Sequence, residues 1–281
     1  MAERVKKPDW LKIRLGGNER FTQTKSIVES HCLHTICTSG KCPNRGECWS
    51  KGTATFMIGG NICTRSCKFC NTLTGKPLSL NPEEPAHVAE SIRLMGLKHA
   101  VITSVDRDDL PDLGARHWAN TIQMIKKTNP KTTLEVLIPD FQGKVELIDL
   151  VINEYPEIIS HNMETIKRLT PVIRSAARYD TSLFVLQHIA QRGITAKTGI
   201  MVGLGETEEE VNELMDDVLS TGTSILTIGQ YLQPSRKNIP VSAYISPEQF
   251  TMYKNTAIRK GFKHVESAPL VRSSYHAEKH V

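Results

Sequence analysis

The chain has 281 residues, 39% hydrophobic and 23% charged, the balance of an ordinary globular protein able to bury one barrel-sized core. Its net charge of +5 is uneven: residues 1–80 carry 13 Lys and Arg against 5 Asp and Glu, and the remainder carries a slight acidic excess. No apolar run approaches the roughly 18 residues that span a membrane, and no aromatic residues interleave with the basic ones as a nucleic-acid stacking platform needs. Neither a membrane nor nucleic acid is therefore an expected partner.

Residues 1–30 are polar and weakly periodic, which reads as an arm packed on the main body. Residues 1–10 lack the apolar core of a signal peptide and are not the acid-free stretch of a mitochondrial presequence, so a cytoplasmic location is expected. All seven cysteines follow, between residues 32 and 70, and the 211 residues after them hold none. Disulfides are rare in reducing compartments and an odd count leaves one thiol over, so metal ligation is the better reading. Residues 31–52 carry turn punctuation at Ser39-Gly40, Pro43-Asn44 and Gly46 and should be loop or short helix. Residues 53–60 are β-prone and apolar, a first strand.

Beyond residue 80 strand and helix patterns alternate. A helix is expected over 82–95, with Asn81 as cap and Gly96 as stop. Strands follow at 98–104, 133–138, 157–161, 195–202 and 224–229. Helices are expected at 115–127, 144–154, near 163–170, at 180–192, 206–220 and 247–260, before residues 263–267 and a tail. About six alternations imply a parallel sheet with crossover helices, either doubly wound or a closed or partial TIM-type barrel. Chemistry in either gathers at the C-terminal strand ends, here Thr103 to Asp109, Pro139-Asp140, His161-Asn162 and Gln230-Tyr231. Polar strand ends also mark a chain entering water.

The sharpest motif is Cys63-x3-Cys67-x2-Cys70, on a loop after the first strand. Three thiolates so spaced can hold three irons of a cubane cluster and leave the fourth open. Structural zinc instead takes four protein ligands, usually in C-x2–4-C pairs. A second triplet, Cys37-x4-Cys42-x5-Cys48, lies upstream. Cys32 stands outside both. The x4 spacing makes Cys32, Cys37 and Cys42 a formal set, with His31 and His34 as possible zinc partners, but a free or buried thiol is the simpler reading. His34, His87, His99 and His117 have no partner at motif spacing and read as surface or packing residues.

With Phe69 and Asn71 around Cys70, the downstream triplet resembles the radical SAM superfamily, in which S-adenosylmethionine chelates the open iron. Gly199-Ile-Met201-Val-Gly203-Leu-Gly-Glu206 resembles that superfamily's adenine-contacting stretch on the fifth strand, with Met201 in place of the usual Ile; a plain strand-to-helix turn is the competing reading. The upstream triplet narrows the resemblance to the lipoyl synthase family, together with Thr103 to Leu110, Glu135 to Gly143, His161 to Thr165, Gly229 to Leu232 and Pro269 to Ala277. It covers nearly the whole chain.

The resemblance implies an α/β fold, a partial (β/α)6 TIM-type barrel with N-terminal and C-terminal extensions. Residues 1–52 would carry an auxiliary cluster, 53–245 the core barrel, and 246–281 a helix and closing tail. It implies two 4Fe-4S clusters and S-adenosylmethionine as cofactors. The cluster on Cys63, Cys67 and Cys70 reduces S-adenosylmethionine to a carbon radical. That radical takes hydrogen from C6 and C8 of an octanoyl chain on a lysine of a lipoyl carrier domain, because an aliphatic C–H is too weak an acid for side-chain catalysis. The cluster on Cys37, Cys42 and Cys48 donates the sulfurs.

Ser274 in Arg272-Ser273-Ser274-Tyr275 would be that cluster's fourth ligand, with Ser273 the neighbouring alternative and Arg272 stabilising the anionic cluster. A serine oxygen is harder than thiolate and leaves iron more readily. Asn162 and Arg178 would face S-adenosylmethionine with Gly199, Met201, Gly203 and Glu206; an ion pair on a helix surface is the other reading of Arg178. Implied partners are the octanoylated carriers (2-oxoacid dehydrogenase acyltransferase subunits and the glycine cleavage H protein), a ferredoxin- or flavodoxin-like electron donor, and cluster-repair proteins. The basic excess would meet an acidic carrier or offset the metal-bound thiolates. Another dual-cluster radical SAM sulfur-inserting or maturation enzyme, or a zinc-stapled binding module, are the alternatives.

Overall fold

The computed structural model describes residues 6–13 and 17–280. Of the N-terminal arm, residues 1–5 and 14–16 lie outside the described residues, as does residue 281. The arm holds a helix that its weak periodicity does not announce, α1 (Glu19–Ser30). Only Thr24 and Val28 on it are buried, but Asn18 caps it by accepting the Phe21 N–H at 2.9 Å. The cysteine segment follows as β1 (His34–Thr35), α2 (Ile36–Ser39) and α3 (Arg45–Ser50). Phe21 of α1 stacks 5.4 Å from Trp49 of α3, which joins arm and cysteine segment.

The body begins with β2 (Thr55–Ile58), whose four residues are all buried, as a central parallel strand requires. Two short strands, β3 (Ile62–Cys63) and β4 (Leu73–Thr74), pair only with each other. Then come α4 (Glu84–Met95), β5 (His99–Ser104), α5 (Ala115–Thr128), β6 (Thr133–Leu137), α6 (Val145–Ile152) and β7 (Ile158–Ser160). After α7 (Thr170–Ile173) and α8 (Tyr179–Gln191), the chain ends as β8 (Thr195–Val202), α9 (Glu208–Ser220), β9 (Ile225–Gln230), α10 (Pro247–Lys260) and β10 (His264–Ser267). Local chemistry fixes many ends. Gly96 closes α4 in the left-handed region, Thr207 and Glu210 form a capping box on α9, and Ser246 caps α10.

The main sheet runs β1-β2-β5-β6-β7-β8-β9-β10, and every pair is parallel except β1 with β2. Sequential parallel strands joined by outer helices make a partial TIM-type barrel, as expected. The sheet has one more parallel strand than the six-fold alternation suggested: residues 264–267 pair with β9 from His264↔Ile225 to Ser267↔Ile228. Residues beyond 246 thus first extend the barrel before becoming a tail.

Two apolar layers lie between sheet and helices. One gathers Phe56, Ile102, Val136 and Ile159 against α4, α5, α6 and α8; the other gathers Ile200, Val202, Leu226 and Ile228 against α8, α9 and α10. The barrel interior is mixed by contrast, with apolar Met57, Val101 and Leu137 beside charged side chains. Glu135 and Lys197 pair there at 2.8 Å, both with 0% exposure.

Two expectations fail locally. Residues 163–170 do not form a helix; Glu164, at φ 65, donates its N–H to Gly199 O at 3.0 Å and accepts the Met201 N–H at 2.9 Å, bridging onto β8. Backbone committed to the sheet edge cannot close helical turns, and α7 starts only at Thr170 with proline in its first turn. Asn81 is not the helix cap: its Oδ1 accepts the Glu83 N–H at 3.0 Å, forming a turn just ahead of α4. No described helix is long and apolar enough to cross a membrane.

Candidate active site

β2 releases the chain at Gly59 and Gly60, with φ of 80 and 94, a conformation open to glycine without steric cost. Both polar groups of Gly59 are held. Its N–H donates to Glu84 Oε2 at 2.8 Å, and its carbonyl accepts from Arg107 Nη1 at 3.1 Å. Glu84 is itself paired at 2.6 Å with buried His117, which is thus a packing residue. The loop after this anchor carries Cys63, Cys67 and Cys70.

Arg65, inside the motif, pins the loop to the barrel. It forks onto Asp140 at 2.8 and 2.9 Å and onto Asp108 at 2.7 and 2.9 Å, and Asp106 lies 3.3 Å from its Nε. Burial pushes the Asp140 carboxyl up, but the Arg65 guanidinium outweighs it and holds the group down at about 2. Backbone N–H groups of Arg65 and Asp106 point at Cys63 Sγ (3.4 and 3.3 Å) and that of Thr72 at Cys70 Sγ (3.5 Å). Donors so aimed favour the thiolate form.

The three thiols open onto a cavity of about 520 Å³ within the barrel mouth. Cys37 and Cys42 line the same cavity from the other side. Cys37, Cys42 and Cys48 also surround a smaller cavity of about 120 Å³, with Ser274 and Arg272 on its wall. The tail therefore returns from β10 across the barrel to the N-terminal segment, where Asn44 Nδ2 donates to Leu270 O at 2.7 Å. Ser273 lines the large cavity and Ser274 both, so the two serines face different company. Cys32 is exposed and lines neither. His99 is a wall of the small cavity rather than a surface residue, and its Nε2 is buried without a hydrogen-bond partner.

The residues expected around S-adenosylmethionine divide. Asn162, Gly199 and Met201 line the large cavity. Gly203 and Glu206 do not: the Glu206 carboxylate accepts the N–H groups of Gly203 and Leu204 at 2.5 and 2.9 Å, holding the β8–α9 turn. Arg178 is exposed at the N-terminus of α8 and is not on the cavity wall. The buried guanidinium there is Arg174, whose Nη1 donates to Ser182 Oγ at 2.9 Å. Ser182 in turn bonds His161 Nε2 at 3.0 Å, and His161 Nδ1 lies 3.0 Å from Ile138 O. Burial, then the nearby Arg174 charge, pushes this imidazole down to about 4, so it is neutral.

Three residues here carry no sequence signal of their own, Arg65, Thr55 and Arg174, and a fourth, Glu164, lies in the His161 to Thr165 motif with no role assigned to it there. Glu164 is the most informative. It combines a left-handed backbone with a carboxyl whose ionisation burial opposes, and it accepts from Asn162 Nδ2 at 3.0 Å.

The donor sets fit clusters and a nucleoside ligand. Among the described residues no three His, Cys, Asp or Glu side chains converge on a single-ion point; each triplet lines a cavity instead. Burial, then the neighbouring Cys37 and Cys42, pushes the Cys48 thiol up to about 12, and burial with Asp106 does the same to Cys63. Thiols that suppress one another's ionisation become thiolates together only around a strong positive charge, which iron supplies. On the ligand side, Asn162 lines the cavity and its buried Oδ1 has no donor among the described residues.

An open parallel barrel bearing a Cys-x3-Cys-x2-Cys loop at its mouth defines the radical SAM class, and the description "Radical SAM superfamily" matches residues 57–218. The fold is similar to that of Streptococcus suis SuiB bound to S-adenosylmethionine, with a TM-score of 0.61 at 10% identity over 81% of this chain and 55% of that one. A protein of Parabacteroides distasonis named lipoyl synthase is 77% identical over 281 residues, all of both chains, and one of Bacteroides fragilis is 74% identical over 99% of this chain and 97% of its own. The chain belongs to the lipoyl synthase family. It is a radical SAM sulfur-inserting enzyme that works with S-adenosylmethionine and 4Fe-4S clusters, and the zinc-stapled module is set aside.

Proposed function

We propose that the chain inserts two sulfur atoms, at C6 and C8, into an octanoyl chain amide-linked to a lysine of a lipoyl carrier domain. The observation that carries this reading is that thiols of both triplets line one cavity, so hydrogen removal and sulfur delivery share a single chamber. Its volume of about 520 Å³ is that of a small-molecule site, and Ile36, Met57, Val101 and Leu232 give it apolar wall for an acyl arm.

Cys63, Cys67 and Cys70 hold the reducing cluster; Cys37, Cys42, Cys48 and Ser274 hold the sulfur-donating one. When bound, the first cluster with S-adenosylmethionine supplies a carbon radical able to take hydrogen from an unactivated carbon, and the second supplies sulfur. Asn162, Gly199 and Met201 line the S-adenosylmethionine pocket, and Arg174, rather than Arg178, is the arginine that meets the ligand's carboxylate. Arg272, half-buried on the wall of both cavities, offsets the negative charge of the sulfur-donating cluster.

Residues 1–52 carry the sulfur-donating cluster, 53–245 the core barrel and 246–281 its closure, with β10 the structural part of that last segment. The basic excess in residues 1–80 draws an acidic carrier. A ferredoxin- or flavodoxin-like donor and a cluster-repair protein complete the cycle in the cytoplasm.

Comparison of Ser274→Ala with Ser274→Cys tests the ligand assignment. Alanine should leave both clusters largely assembled but nearly stop lipoyl formation. Cysteine should hold iron more firmly and resist sulfur release, because thiolate is the softer ligand. Normal turnover in Ser274→Ala with loss in Ser273→Ala would move the ligand one residue back.

A further inference from the structure

The tail crosses β8 and β9 where those strands lack side chains. A Cβ on Gly229 would fall 2.1 Å from Val271 O, and one on Gly199 would fall 3.0 Å from both Ser273 Oγ and Asn162 Oδ1. Seated there, its adjacent serines take partners on opposite sides. Ser274 Oγ accepts from Thr55 Oγ1 of β2 at 2.9 Å, beside the upstream triplet. Ser273 Oγ accepts from Asn162 Nδ2 at 2.7 Å, at the end of β7.

Asn162 is the junction. Its amide nitrogen serves Ser273 and Glu164 Oε1, at 2.7 and 3.0 Å, and its buried Oδ1 has no donor among the described residues. The amide nitrogen is the end that meets both the Ser273 hydroxyl and the Glu164 carboxyl. Asn162 and Gly199, which lies beside that Oδ1, both belong to the wall of the large cavity.

We propose that Ser273 is a positioning residue linking occupancy of the S-adenosylmethionine pocket to the seating of Ser274. This rests on the reading that Asn162 faces S-adenosylmethionine and Ser274 caps the sulfur-donating cluster. A hydroxyl or ammonium donor of that ligand satisfies Asn162 Oδ1 and locks the amide. The locked amide holds Ser273, and one peptide bond later Ser274 is held against Thr55. The sulfur-donating cluster is then capped most firmly while the radical source is loaded. Linkage is reciprocal, so a seated tail also tightens S-adenosylmethionine binding by the same factor.

The test uses the holoenzyme with both clusters and no reductant, so that S-adenosylmethionine binds without being consumed. Hydrogen exchange of the backbone amides in residues 271–276 is measured with and without saturating S-adenosylmethionine, alongside its Kd. In the wild type the ligand should slow tail exchange about fivefold or more. In Ser273→Ala that slowing should vanish, with S-adenosylmethionine weakened by the same factor. A side chain that merely stabilised the tail would leave the ligand response intact. Wild-type tail exchange indifferent to S-adenosylmethionine, or full slowing in Ser273→Ala, would overturn the link alone. Unchanged S-adenosylmethionine affinity in Asn162→Ala would remove the site reading and the link with it.

Discussion

His161 shows how far a single residue can be argued from its surroundings. Its neutral ring accepts from Ser182, which Arg174 supplies with a proton donor, and its other nitrogen faces the Ile138 carbonyl. A proton on Nε2 would have to share the Ser182 hydroxyl oxygen with Arg174 and would sit in the field of that buried guanidinium. The folded pKa of about 4 lies below the ordinary 6.5, so the unfolded chain binds a proton first as pH falls. Stability from this residue is therefore complete above about pH 6.5 and drains away down to about pH 4, by roughly 3 kcal/mol in all. Denaturant midpoints measured across that window should fall in the wild type and fall less in His161→Gln. Equal slopes would mean that the ring titrates alike in the folded and unfolded chain.

The cysteines were legible because cluster spacing is a local, covalent property. The arginines were not. Arg174 and Arg178 are four residues apart, and only the break between α7 and α8 decides that one points inward while the other lies at a helix start. Arg65 was hidden in plain sight between two cysteines, and the two aspartates it grips there, Asp106 and Asp108, read only as part of a polar strand end and a family motif, with no partner assigned.

At the scale of elements, long strongly patterned segments were readable and short or committed ones were not. Residues 195–202 and 247–260 fold over the expected spans, since buried strand and capped amphipathic helix each carry their own period. Residues 163–170 look helical by composition, but their backbone is claimed by β8. Helix α1 escaped notice because only two of its residues are buried. The tail is the opposite case, a short serine-bearing segment whose order comes from contacts over 200 residues away in sequence, such as Thr55 with Ser274.

That dependence gives a test at this scale. Gly229 leaves room for the Val271 carbonyl, and a methyl 2.1 Å from it must displace either strand or tail. The strand is paired on both sides by β8 and β10, so the tail should yield. Gly229→Ala should retain most S-adenosylmethionine cleavage but lose sulfur insertion about tenfold or more, as one pair of lost contacts at about 1.4 kcal/mol would give. Loss of both activities together, assayed as 5′-deoxyadenosine and thiolated peptide, would place the damage in the barrel.

Seen as a whole, the molecule is a radical-generating barrel whose two ends of chain have been folded over its mouth. The N-terminal segment brings Cys37, Cys42 and Cys48, the C-terminal tail brings Ser274, and Asn44 with Leu270 joins them. Alternation of strand and helix announced the barrel; that the two ends meet was legible only through the family resemblance of residues 269–277, not through any periodicity. The charge asymmetry also acts at this scale. If the basic excess draws the carrier, raising ionic strength should weaken binding of a whole octanoylated domain far more than of a short octanoyl-lysine peptide, because exposed charges are screened beyond about 8–10 Å. Equal salt sensitivity would leave the charge as a counterweight to the clusters.

The central claim is that two triplets facing one cavity do different jobs. It is tested most directly by anaerobic turnover of an octanoyl-lysine peptide with reconstituted Cys67→Ala and Cys42→Ala, counting 5′-deoxyadenosine and sulfur added per chain. Cys67→Ala should release no 5′-deoxyadenosine and add no sulfur, since no electron reaches the sulfonium. Cys42→Ala should still release 5′-deoxyadenosine while adding no sulfur. Normal sulfur addition by Cys42→Ala would contradict the account.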